Sequence, residues 1–96
     1  MNPTKTQDVR DALVNCFYEA HCVDTDIDEN ETVSRQYCMS LVKKFFIDNN
    51  VDFDNPSKDG IVKVVESLAE FSKNFRSQEV IEKHKKEITD LLSKLQ

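Results

Sequence analysis

Between residues 55 and 96 the apolar positions fall into two helical stripes joined by almost nothing. In the first, Ile61, Val64, Leu68, Phe71 and Phe75 alternate spacings of three and four, with Val65 and Ser72 beside them. That is the pattern of one buried helix face. Asn55 followed by Pro56 marks its start, because Asn caps well and Pro at the first helical position loses only an N–H that has no intrahelical partner. The single glycine, Gly60, falls in the first turn, where it weakens a helix by about 1 kcal/mol relative to Ala. Close approach of another backbone would account for it. The second stripe runs Ile81, His84, Ile88, Leu91 and Leu95, with Ser77 as its N-cap and Glu79 in its first turn, where the helix dipole favours an anion. So short a connection predicts an antiparallel helical hairpin.

The first half repeats the arrangement less cleanly. Val9, Leu13, Cys16, Ala20 and Val23 form a stripe with Thr6 as its cap, and Val33, Tyr37, Cys38, Leu41, Val42 and Phe45 form another that stops at Asp48, Asn49 and Asn50. Asn is a tolerable left-handed C-cap. The acidic stretch 24–32 joins the two helices, and Asp28 with Glu31 is a capping-box variant. Val51 and Phe53 alternate with aspartates, which predicts an extended linker with both side chains tucked inward. The expected helices span about 6–22, 30–48, 56–75 and 78–95, and they predict an all-α, single-domain, four-helix bundle built from two helical hairpins.

The widths of the apolar faces are unequal. At about 100° per residue, Val14 and Tyr18 widen the first face to about 240°, and Val42 and Phe46 widen the second to about 220°. The third spans about 180° and the fourth about 120°, which makes the fourth helix peripheral. The surplus on the first two, with Ile47 at its edge, must pack internally or meet another chain. Val14, Tyr18, Val42 and Phe46 are therefore candidate protein-binding residues, with Asp24, Asp26 and Asp28 as an acidic rim that steers basic partners. The expected partner is another protein chain, a second copy included.

Charge sharpens this reading. The chain has 96 residues and a formal charge of −5. Residues 1–54 carry five Lys/Arg against eleven Asp/Glu, and residues 55–96 carry eight against seven. An acidic surface repels phosphate backbones, so nucleic acid is not an expected partner. The run Lys83, His84, Lys85, Lys86 reads as a solvated helix edge. No apolar run approaches the roughly 20 residues that cross a bilayer. The start of the chain has no signal-peptide pattern, and three cysteines leave one unpaired in any monomeric disulfide scheme, so the expected compartment is the reducing cytoplasm.

Candidate chemistry is sparse. Asp24, Asp26 and Asp28 have the spacing that opens a calcium loop, but Glu29 stands where a glycine is needed and Arg35 where a bidentate Glu is needed. Asp48, Asn50 and Asp52 fail in the same way at Phe53. Cys16, His21, Cys22 and Cys38 are the one cluster of soft ligands and support an alternative reading as a thiol- or metal-dependent regulator. Cys16 faces the core, whereas Cys22 lies off the apolar face as the most exposed thiol. His84 interrupts a core stripe, which suits a ring bonded to a carbonyl or carboxylate, or a pH-sensitive packing element. With no glycine-rich loop and no catalytic motif, neither an enzyme nor a cofactor is expected.

Overall fold

The computed structural model describes residues 4–25 and 32–95, with side chains described from residue 35 onward in the second helix. Among these residues there are four α-helices, α1 (Thr6–Thr25), α2 (Thr32–Asp48), α3 (Lys58–Phe71) and α4 (Gln78–Ser93), with a 3₁₀ turn at Ser72–Asn74 after α3. No strand is present among them; Thr4 and Leu95, the first and last described residues, make one isolated bridge. The architecture is the all-α bundle that the stripes predict.

Local chemistry sets each boundary. Asp8 accepts a hydrogen bond from the Lys5 N–H at 2.8 Å and returns its own N–H to the Lys5 carbonyl, so α1 starts on a reciprocal pair rather than on a Thr6 cap. At the far end Thr25 donates to the His21 carbonyl, and α1 runs three residues beyond its expected end at residue 22. α2 stops as expected. Asn50 is left-handed at φ 61°, the Val51 N–H reaches the Phe46 carbonyl and the Asn50 N–H reaches that of Ile47. That is a Schellman motif, with Val51 and Phe46 as its apolar pair. Val33, together with Asp28 and Glu31, lies outside the residues described at side-chain level.

The linker packs inward, as its alternation predicts. Phe53 lies edge-on to Phe46 with ring centroids 5.1 Å apart. Arg10 of α1 stacks over Phe53 and donates to the carbonyls of Phe53 and Asp54. The start of α3 is shifted from expectation: Ser57, not Asn55, is the N-cap and accepts the Gly60 N–H at 3.0 Å. Asn55 instead receives Gln7 of α1. Gly60 is explained by a side chain rather than by a neighbouring backbone, because an added Cβ would stand 2.9 Å from Val51 Cγ1 and 2.9 Å from Ser57 Oγ.

The core sits around α1. Val9, Leu13, Cys16, Phe17 and Ala20 of α1 join Val42 and Phe46 of α2, Ile61, Val64 and Leu68 of α3, and Ile81 and Ile88 of α4 in one buried cluster. Helix α1 packs most extensively on α4 and next on α2, while α3 rests more lightly on both α1 and α2. The second expected hairpin is therefore not a closely packed pair: α4 is adjacent to α3 in sequence but lies on α1. Nor is α4 peripheral. Its narrow apolar face is directed at the most central helix.

Candidate binding seam between the third and fourth helices

Two polar attachments fix α4 to α1. Asp24, in the last turn of α1, accepts the N–H groups of Arg76 and Ser77 at 2.9 and 2.8 Å. Burial pushes its carboxyl up, but hydrogen bonds from Ser77 and Arg76 outweigh that and hold it below its ordinary value. Ser77 makes no side-chain cap to its own helix. Its hydroxyl donates to the Ala20 carbonyl of α1 instead, so the α4 N-terminus is capped by a residue 53 positions earlier. The expected rim residue Asp24 is thus a structural latch, while Asp26 and Asp28 lie outside the described residues.

The second attachment is His84, buried on the inner face of α4. Its Nε2 lies 2.6 Å from Glu19 Oε2, and Lys83 approaches the other oxygen of Glu19 at 3.6 Å. The hydrogen bond from His84 is the main reason Glu19 is held below its ordinary value, opposed by burial and helped by the charge of Lys83. With Glu19 ionised, the shared proton belongs on Nε2. Nδ1 has no hydrogen-bond partner among the described residues, although Glu87 stands 3.5 Å away. The carboxylates of Glu19 and Glu87 address opposite ring nitrogens, so they do not converge on one ion, and no His, Cys, Asp and Glu trio suited to a metal occurs among the described residues.

Where α4 leans towards α1 it parts from α3, and a seam opens between them. Leu13, Cys16 and Phe17 of α1 form its floor, Val65, Leu68 and Ala69 one wall, and Ile81 and Ile88 the other. Lys73, Glu82 and Lys85 stand at the mouth, and the space enclosed is about 230 Å³. The 3₁₀ turn and the extended Phe75 (φ −79°, ψ 144°) connect the two helices at one end. There Phe17, Phe71 and Phe75 form a ring cluster with centroids 5.3–6.1 Å apart. Cys16 on the floor is kept protonated: burial, then the negative charges of Glu19 and Glu87, push its thiol up to about 12.

The face expected on α1 and α2 is placed differently. Val14, Tyr18, Val42 and Phe46 are all buried inside the chain, so their apolar surplus is used between the helices and presents no surface to a partner. Arg35 covers Tyr18 with its guanidinium carbon 4.5 Å from the ring centre. Tyr37 and Val23, expected inward, are 57% and 54% exposed, and Ile47 is 73% exposed. The soft-ligand quartet divides. Cys16 belongs to the main core, Cys22 and Cys38 form a separate cluster with Tyr18, and the His21 ring packs on Tyr37 at 5.4 Å. Cys22, expected to be the most exposed thiol, is 2% exposed, because α1 continues past it and α2 lies over that side.

Sequence reasoning missed the seam and the latch. The narrow stripe of α4 was the available signal, since a helix apolar over about 120° can satisfy one neighbour better than two. No family model matches the chain, and neither a curated protein nor a solved structure matches it. Among the described residues no helix is long and apolar enough to cross a membrane.

Proposed function

We propose that the chain is a non-enzymatic binding module for another protein chain, and that the α3/α4 seam, rather than the α1/α2 face, receives that partner. The observation that carries this reading is the seam itself: an apolar floor and two apolar walls open to solvent between helices that diverge. Apolar side chains projecting from an amphipathic helix suit such a groove, which is a recurring mode of peptide recognition. The mouth mixes Glu82 and Lys85 with Lys73, which is paired to Glu70, so it suits a partner with both charges beside its apolar ridge, and a second copy is the simplest candidate. The protonated state of Cys16 supports binding over nucleophilic chemistry, because the thiolate is the reactive form. Three free cysteines, all buried, accord with a cytoplasmic setting.

The test has two parts. Anilinonaphthalene sulfonate, an apolar dye with one anionic group, should gain fluorescence with the native protein and lose most of that gain with Ala69→Trp, which fills the mouth from α3. Light scattering on a size-exclusion column over a range of concentrations then reads self-association, with Ala69→Glu as the control. A mass that rises with concentration in the native chain but not in Ala69→Glu supports a second copy in the seam. Absence of dye binding by the folded native chain would remove the seam as a binding site.

A further inference from the structure

The buried thiols outside the main core form a pair on facing helices. Cys22 is 2% exposed and Cys38 is 1% exposed, and with Tyr18 they make a three-residue cluster of their own. The Cys38 Sγ lies on the backbone of α1, 3.8 Å from the Phe17 carbonyl oxygen, five residues before Cys22. Fifteen residues separate the two cysteines along the chain. Residues near them in sequence carry exposed side chains: Tyr37 packs on His21, next to Cys22, and Arg35 lies over Tyr18, the third member of the cluster.

We propose that Cys22 and Cys38 are a dithiol modification site, which a small-molecule disulfide of the glutathione class converts into an intramolecular disulfide tying the end of α1 to α2. The reaction follows ordinary thiol–disulfide exchange. Local opening of the last turn of α1, which requires transient release of the Asp24 latch, exposes Cys22, whose thiolate attacks one sulfur of the small disulfide and releases one small thiolate. Cys38 then loses its proton and attacks the Cys22 sulfur of the mixed disulfide, and the second small thiolate leaves. Two protein thiols are oxidised by two electrons, and one small disulfide is reduced to two thiols.

Burial makes the resting chain resist this step. It is the main reason the Cys38 thiol is pushed up to about 11, with the neighbouring Cys22 sulfur as a secondary cause. Cys16 does not compete. It belongs to the main core beneath the α3/α4 seam, and its thiol lies still higher, at about 12.

The native chain is incubated with oxidised glutathione near neutral pH, quenched with acid and mapped by mass spectrometry without reduction. The expected product is monomeric, two hydrogens lighter, with the peptides of Cys22 and Cys38 joined. Its Tm should rise by roughly 5–15 °C and return on treatment with dithiothreitol. Cys38→Ser should stop at a mixed disulfide on Cys22, while Cys16→Ser should oxidise as the native chain does. The map of the native chain decides even where a variant folds poorly. A stable glutathione adduct on the native chain, a bond involving Cys16, or a disulfide between two chains as the main product would overturn the proposal.

Discussion

Helix α4 has two neighbours, and they treat it differently. Against α1, which is distant in sequence, it is held at its N-terminus by Asp24, at its middle by Glu19, and along its length by buried isoleucines. Against α3, which precedes it by six residues, it leaves an open seam over Leu13, Cys16 and Phe17. Chain proximity requires only that the helices meet at one end. Which faces then pack is decided by where polar side chains find partners. Asp24 of α1 takes the N–H groups at the start of α4, His84 of α4 takes Glu19 of α1, and the narrow apolar face of α4 follows these attachments. The consequence is a bundle closed around α1 and accessible between α3 and α4.

Removing the element common to both sides should have the largest effect. Phe17 touches Phe71 and Phe75 and is 2% exposed, so Phe17→Ala should cost about 3–5 kcal/mol in urea unfolding. A loss below about 1 kcal/mol would mean that α1 is not the hub.

The latch comes next. Asp24→Ala leaves the N–H groups of Arg76 and Ser77 without their charged acceptor and should cost about 1–3 kcal/mol. Hydrogen exchange should accelerate first at the start of α4 and at the end of α1, not in α3, which separates the two flanks directly. Equal acceleration in α3 would show that the seam is as tightly coupled as the α1 contact.

Acid should loosen the α1 flank specifically. Glu19 is held below its ordinary value of 4.5, so its contribution is fully present above that value and is lost as the pH falls through its lower folded value. Glu19→Gln should therefore be less stable than the native chain at neutral pH by about 1 kcal/mol, a figure reduced for the partial exposure of the carboxylate. The difference should shrink as the pH drops below 4.5. A difference that stays constant with pH would place the stabilisation elsewhere than in the ionised Glu19–His84 pair.

The parts of this arrangement differ in how well they can be read from sequence. The spacing of Ile61, Val64 and Leu68 and that of Ile81, His84 and Ile88 define helix faces by period alone, and Asn49–Asn50 stops α2 through local backbone preference. The carboxylate partner of His84 was also legible in kind, since a histidine in a core stripe needs an acceptor. Asp24 was not: in the sequence it is one of several loop acids, and only the fold brings the N–H groups of Arg76 and Ser77 to it. Val14, Tyr18, Val42 and Phe46 show the reverse difficulty. A wide apolar face counts surface without saying what covers it, and here α1 and α2 cover one another. Cys22 was misjudged for the same reason, because its neighbour Cys38 belongs to another helix.

The measurement bearing most directly on the open seam is the urea midpoint of Cys16→Met, which adds an adaptable side chain to the seam's floor. If the space between α3 and α4 is real, Met extends into it and stability is unchanged or rises by up to about 1 kcal/mol. If α3 and α4 are closely packed over Cys16, the added volume overpacks the core and stability falls by about 1–3 kcal/mol.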